Sequence, residues 1–417
     1  MNIISILRNR YYLFFAFLFF LLTFVVYYFT GENKSTAFHY FAPLTEAFLD
    51  GRLYLLDKPS WLNELLPVGG KFYVIYPPMP AIMLLPQALI LGGEINQTLA
   101  SVFWGSLCVA VIYFLMRRLS DSLRLQIWLT ILLAFGTIFW YLACDGKAWF
   151  FAQIASFFFL SLAVLETFGK RRPLIIGLLL GASFWCRLPV ILSLPFFLIM
   201  ISDQWINQDK SINQDKSINI IRRVRLQPLI LLGLGVGIFV LLNFAYNYVR
   251  FETISDIAYN LQAKEEPWFY PKGLFHPSYI LKHLWIFFLK PPLFSWDAPY
   301  VIPSLEGMSI LITTPAVIYV IFAGIRNKTA LACWSAIIPV ALVSFTHGGY
   351  GWIQFGYRFA LDFYPFLFVL IALGVKSQLK DNGDLRWHHK TLIIISVLVN
   401  IWGVLWINKF GWSALWG

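Results

Sequence analysis

The sequence predicts an all-α fold, a polytopic transmembrane helical bundle of about eleven spans. Of its 417 residues 59% are hydrophobic and 13% charged, with a mean hydropathy of +0.69. One soluble domain could not keep so much apolar surface from water, so the solvent for this fold is lipid. Apolar runs, most of them about 17 to 20 residues long, recur along the chain, and at 1.5 Å per residue such a run crosses a hydrocarbon core of about 30 Å. The basic residues behind the net charge of +11 sit in short clusters between these runs, as the positive-inside rule expects. Charge here reports topology and gives no reason to expect a nucleic-acid partner.

The first run, 11–30, follows Arg8 and Arg10. It is too long for a signal-peptide core and no small-x-small cleavage site follows it, so it reads as an anchor. The remaining clusters are Arg117/Arg118/Arg124, Lys170/Arg171/Arg172, Arg222/Arg223/Arg225, Arg326/Lys328 and Lys376/Lys380/Arg386/Lys390. Placing all six on the cytoplasmic side of an inner or plasma membrane gives one threading, with the N-terminus inside and the C-terminus outside. The spans are then 11–30, 98–116, 125–143, 149–168, 173–187, 189–202, 228–247, 308–325, 329–346, 359–375 and 391–408. Lipid offers the backbone no partners, so each must be helical. The apolar stretch 79–92 lies among Pro77, Pro78, Pro80 and Pro86. Counting it as a span would turn the Arg117 cluster outward, so it reads as an interfacial or re-entrant helix. The arms of 173–202 are short and meet at Cys186-Arg187-Leu188-Pro189, which fits two spans or one broken helix.

Three units follow: an N-terminal transmembrane module, 1–202, with an outside loop at 31–97; a cytoplasmic loop, 203–227; and a C-terminal module, 228–417, with an outside loop at 248–307. The cytoplasmic loop repeats Ile206-Asn207-Gln208-Asp209-Lys210-Ser211 as Ile212-Asn213-Gln214-Asp215-Lys216-Ser217, a polar duplication that a loop tolerates as inert length. Cys108 and Cys333 fall in spans as small apolar residues. Cys144 and Cys186 fall near the outer face, where a disulfide is one option. No HExxH, CxxC, P-loop or GxSxG pattern occurs and the six histidines do not group at ligand spacing. No cofactor is expected, and a divalent metal is not indicated.

Several features carry a resemblance. They are the long loop after the first span, closing on Tyr76-Pro77-Pro78-Met79-Pro80, the span ending at Arg117-Arg118, the outside acid Asp145, and Lys170-Arg171-Arg172-Pro173. Over roughly residues 1–200 this order resembles the GT-C superfamily of polytopic glycosyltransferases, which includes protein O-mannosyltransferases, aminoarabinose transferases and oligosaccharyltransferases. Gln354-Phe355-Gly356-Tyr357-Arg358-Phe359 through Pro365 is similar to a late outside-loop signature of bacterial members. The resemblance implies transfer of a sugar from a polyprenyl-phosphate carrier to an acceptor on the outer face, with inversion. Such chemistry needs a carboxylate to take the acceptor's proton and cations to hold the phosphate.

Better-known members carry an acid just past the first span, and the matching stretch Ser35-Thr36-Ala37-Phe38-His39-Tyr40 has none. The substitutes are Glu32, Glu46, Asp50, Asp57 and Glu64. Glu64, among apolar neighbours in Trp61-Leu62-Asn63-Glu64-Leu65-Leu66, ranks first, though an interfacial turn explains it as well. Asp145 corresponds to the second outside acid of the family or merely complements a helix N-terminus. Arg187, a cation at membrane depth, costs a few kcal/mol unless paired or hydrated, which makes it a phosphate candidate or a snorkelling side chain. Arg358 follows the aromatic run His347-Gly348-Gly349-Tyr350-Gly351-Trp352 and is suited to bidentate phosphate contact. Asp362, four residues on, could instead pair with it along a helix. Glu64 and Asp145 are therefore the expected catalytic acids and Arg358 and Arg187 the phosphate ligands, with Tyr40, Lys71, Tyr357 and Asp362 in support. Two rival readings stay open. One is a transporter or flippase of a lipid-linked sugar, for which inverted repeats are expected and none is found; the other is a non-catalytic scaffold of the same fold.

Overall fold

In a computed structural model of the chain, residues 3–32, 38–62, 64–91, 95–206, 224–351 and 353–410 are described, with side chains from residue 11 onward. The repeat, beyond Ile206, and residues 35–37 of the first loop lie outside them.

The chain is mostly helical, and each expected span coincides with a helical segment. Among the described residues seven helices are long and apolar enough to cross a membrane: Tyr11–Thr30, Gln97–Leu119, Ala148–Thr167, Leu226–Phe251, Lys328–Thr346, Arg358–Ser377 and Trp387–Phe410. Shorter apolar helices occupy Met79–Leu91, Leu123–Phe135, Pro173–Phe184 and Leu188–Met200. The first of these covers the stretch for which an interfacial or re-entrant helix was expected. The expected span 125–143 is broken where Leu123–Phe135 stops at Gly136 and Phe139–Ala143 resumes. The expected span 308–325 is likewise interrupted, as Ile310–Thr313 gives way at Thr314-Pro315 to a 3₁₀ segment, Pro315–Ala323. Proline has no N–H to continue the ladder and fits the first turn of a new segment.

Packing separates lipid-facing from central helices. Ala148–Thr167 and Arg358–Ser377 are largely buried, whereas Tyr11–Thr30, Leu226–Phe251 and Trp387–Phe410 leave most of their apolar surface open, which only lipid can cover. Between helices, small and hydroxylic residues do the joining, as they do where no hydrophobic force exists between apolar helices in lipid. A Cβ on Gly235 would fall 2.5 Å from the Leu178 backbone nitrogen, so Leu226–Phe251 touches Pro173–Phe184 backbone to backbone. Ser156 and Ser183 hydroxyls meet at 2.9 Å.

The 173–202 region is two arms of a hairpin. Arg171, before the first arm, donates to Asp203, after the second, and to the Met200 carbonyl, so both arms start and finish at the same end, with Arg187 at the elbow between them. An arm of 12 residues reaches only about 18 Å, short of the hydrocarbon thickness of about 30 Å. The elbow meets the cap, where the Met79 N–H donates to the Trp185 carbonyl at 3.3 Å. The basic clusters gather at the opposite end: Arg172 with Glu166, Arg124 with Asp384, and Lys376 on the Leu119 carbonyl. Common sidedness of these clusters is what the threading requires. All four cysteines are buried free thiols, so Cys144 and Cys186 are not bridged.

At the end away from the basic clusters the two long loops form a cap. Residues 38–91 fold as a helix, Phe41–Leu49, a hairpin pairing Leu65–Val68 with Lys71–Val74, and the Met79–Leu91 helix. Their core of Tyr40, Phe41, Leu44, Tyr73 and Tyr76 packs onto Phe151 and Ala152. Arg250, at the end of its long helix, pins this cap by donating to the Val74 carbonyl at 2.9 Å, and is steadied by donating to Asn247 Oδ1, three residues back on its own helix, at 2.8 Å.

Candidate functional site

Under this cap lies a cavity of about 340 Å³. Three of the four principal residues expected from the sequence line it together: Glu64 from the first loop, Arg187 from the elbow, and Arg358 from the start of a central helix. Aromatic rings of Trp149, Tyr259, Phe269 and Tyr270 make up much of the rest.

Glu64 precedes the first strand of the hairpin, and its backbone N–H donates to the Tyr40 hydroxyl at 3.0 Å. One carboxylate oxygen, Oε2, accepts from the Trp149 indole at 3.0 Å and also from the Tyr76 hydroxyl. Burial pushes this carboxyl up to about 7; the Trp149 hydrogen bond and the Arg358 charge oppose the rise, and Glu266 adds to it. Such a group exchanges a proton near neutrality. Two further carboxyls line the cavity, Asp256 and Glu266, and burial raises both above the usual range. His347, held by the Gly349 carbonyl at 2.8 Å, is pushed down to about 4 by burial, so it is neutral at pH 7.

The cationic side has two guanidinium groups in different states. Arg187 is neutralised by Asp362 through a fork, Nε to Oδ1 at 3.2 Å and Nη2 to Oδ2 at 2.8 Å. Asp362 is thus taken by a residue 175 positions away rather than by Arg358, as the helical spacing had suggested. The reason is local: Arg358–Phe363 is a 3₁₀ segment, in which residues three apart eclipse and residues four apart diverge. Arg358 is left with no carboxylate partner among the described residues, and its Nε has no acceptor although buried. It rests on aromatic faces, its guanidinium carbon 4.5 Å from the Phe359 centroid and about 6 Å from those of Trp149 and Phe150.

The backbone of Arg358 is fixed from two sides. Its N–H donates to Gln354 Oε1 at 3.1 Å, and its carbonyl accepts from Gln153 Nε2 at 2.8 Å. Gln153 stands one turn beyond Trp149 on the same helix, so one helical face holds both the acid and the cation. Tyr357 lies behind, its hydroxyl 2.7 Å from His283 Nδ1.

Two expected site residues are not brought here. Asp145 lies outside the cavity lining: Oδ1 accepts the Lys147 N–H at 2.8 Å, and Oδ2 meets the Lys147 ammonium. Both oxygens are thus taken by Lys147, the residue before Ala148–Thr167. Lys71 is exposed on the hairpin with its ammonium 4.6 Å over the Tyr54 ring. Conversely, Trp149, Tyr76, Gln153, Asp256 and Tyr259 were not expected in the site. A tryptophan and a glutamine four apart at the mouth of an otherwise apolar span were the available signal for the first and third. Among the described residues no three His, Cys, Asp or Glu side chains cluster as a metal site would need.

No protein-family model matches the sequence, and no curated protein matches it. Among solved structures, the chain is similar to ArnT from Cupriavidus metallidurans bound to undecaprenyl phosphate, with a TM-score of 0.49 and 12% identity over 88% of this chain and 61% of that one. It is also similar to the Archaeoglobus fulgidus oligosaccharyltransferase tethered with an acceptor peptide, with a TM-score of 0.46 and 13% identity over 95% of this chain and 55% of that one. The chain spans about three fifths of the length of these neighbours.

Proposed function

We propose that this chain is a membrane glycosyltransferase that moves a sugar from a polyprenyl-phosphate donor to an acceptor at the membrane face bearing the two long loops. One observation carries the reading: Arg358, a buried guanidinium without a carboxylate partner, faces the same cavity as Glu64, a carboxyl poised to exchange a proton near neutral pH. An uncompensated buried charge is costly to keep, and a phosphate is the ligand that a planar guanidinium fork suits best.

In this reading Glu64, deprotonated, accepts the proton of the acceptor's nucleophile as that nucleophile bonds to the anomeric carbon. The anomeric C–O bond breaks, its electron pair stays on the phosphate oxygen, and Arg358 stabilises that charge in a site lined by aromatic rings rather than water. Arg187 adds a second, partly neutralised cation nearby. Trp149 and Tyr76 aim the carboxylate. The aromatic walls suit a sugar ring and the lipid to which it is tied.

The direct test is transfer. Purified protein incubated with synthetic polyprenyl-phosphate sugars and membrane acceptors should yield a glycosylated product and free polyprenyl phosphate, and Arg358→Lys should transfer far more slowly because it keeps charge but loses the fork. Lipid binding without transfer for every donor would replace this reading with the flippase or scaffold.

A further inference from the structure

A second cleft lies at the other end of the molecule, between Leu123–Phe135 and Trp387–Leu405, with a volume of about 720 Å³. The two helices are tied on one side by the Trp128 indole, which donates to the His389 carbonyl at 3.0 Å. The cleft is sharply divided in chemistry. Its walls are apolar, including Ile131, Ile393 and Leu398, while its mouth carries Arg124, Lys380, Lys390 and Asp384.

The charges at the mouth do not cancel. Asp384 is engaged by Arg124 and by the Asn382 amide, whereas Lys380 and Lys390 are exposed and have no carboxylate partner among the described residues. Free counter-ions would satisfy two lysines in water. They would not cover the slot beneath, where Ile394 and Leu398 are more than half exposed. An amphiphile with an anionic head and an acyl tail answers both features. Basic clefts between transmembrane helices at the cytoplasmic face suit anionic lipid head groups, and this cleft belongs to the end where the basic clusters gather.

We propose that this cleft is a binding site for an acidic glycerophospholipid, its phosphodiester between Lys380 and Lys390 and an acyl chain along the Ile131–Leu398 wall. The site is independent of the transfer cavity, and the lipid there is a bound structural ligand rather than a substrate.

The test uses the full-length protein, delipidated in detergent, with bound lipid counted by native mass spectrometry and the unfolding midpoint followed during titration. Phosphatidylglycerol should raise the midpoint, and phosphatidylcholine with the same acyl chains, or inorganic phosphate, should not. K380Q/K390Q should bind phosphatidylglycerol about 30-fold more weakly, the loss of two lysine attractions of about 1 kcal/mol each. K380R/K390R should restore the response, which separates charge from folding, and Arg358→Met should leave it unchanged. An equal rise with phosphatidylcholine or with inorganic phosphate, undiminished affinity in K380Q/K390Q, or loss of the response in Arg358→Met would each overturn the assignment.

Discussion

Arg358 gives a test in which stability and function move in opposite directions. Its guanidinium is buried, rests on rings, and has an Nε with no acceptor among the described residues. An orphaned buried donor costs about 1–3 kcal/mol, more when charged. Arg358→Met keeps most of the side-chain volume and removes that cost, so the ligand-free variant should be more stable than the parent by about 1–3 kcal/mol. Asp362→Asn does the reverse. It strands Arg187, whose fork it accepts at 2.8 and 3.2 Å, and removing one partner of a buried pair costs about 3–5 kcal/mol. The assay is the unfolding midpoint in detergent with and without polyprenyl phosphate. At 100 times its Kd the lipid should stabilise the parent by about 2.7 kcal/mol. Arg358→Met should weaken binding by about 10- to 100-fold, the value of a charge-assisted hydrogen bond, and so lose about half of that gain or more. If Arg358→Met destabilises the empty protein as much as Asp362→Asn, or keeps the full response to lipid, Arg358 is a structural cation and the phosphate assignment fails.

Glu64→Gln should lower the transfer rate by about 10² to 10⁴, the usual loss of a general base, while the parent's rate should rise with pH through about 7, where its carboxyl ionises. Because that carboxyl is raised from 4.5 to about 7 on folding, the folded state holds a proton that the unfolded state releases between those values. Stability should therefore decline as pH rises through this window and level off above it, and Glu64→Gln should flatten the profile. Trp149→Phe removes a donor that favours the ionised carboxylate, so the rising limb of the pH–rate curve should move to higher pH; an unmoved limb would show that the indole does not tune the acid. Asp145→Asn should change the rate by less than about tenfold, since its oxygens serve Lys147 outside the cavity; a loss as large as that of a general base would put Asp145 back in the mechanism. For topology, a cysteine at Lys272 should label with an impermeant reagent in intact cells and one at Lys390 should not. The reverse result would invert the bundle.

The helices were legible because lipid imposes a minimum length and apolarity on each span, and those are properties of contiguous sequence. The elbow at Arg187 was legible for a related reason, since a charge between two short apolar arms breaks the pattern. Glu64 could be ranked first from its apolar flanks, which foretold burial, yet its partners could not be named. Tyr76 and Trp149 reach it from segments 12 and 85 residues away. The Arg187–Asp362 fork spans 175 residues, and no local spacing encodes such a pair. Spacing suggested the opposite one, because a four-residue interval was read as an α-helical turn where the chain forms 3₁₀ structure. For Asp145 the sequence leaves the role open, because an acid before a helix looks the same whether it serves a substrate or the neighbouring lysine that takes both its oxygens here.

Trp149 and Gln153 have a mechanical consequence. Their hydrogen bonds, one to the Glu64 carboxylate and one to the Arg358 carbonyl, leave the same helix four residues apart, an axial offset of about 6 Å. A helix does not stretch, so the interval between the Glu64 carboxylate and the Arg358 backbone is gauged by one rigid body, although Glu64 belongs to a loop and Arg358 to another helix. For the transfer proposed above, in which an error of about 1 Å can cost 100-fold in rate, that gauge keeps a loop-borne acid within tolerance.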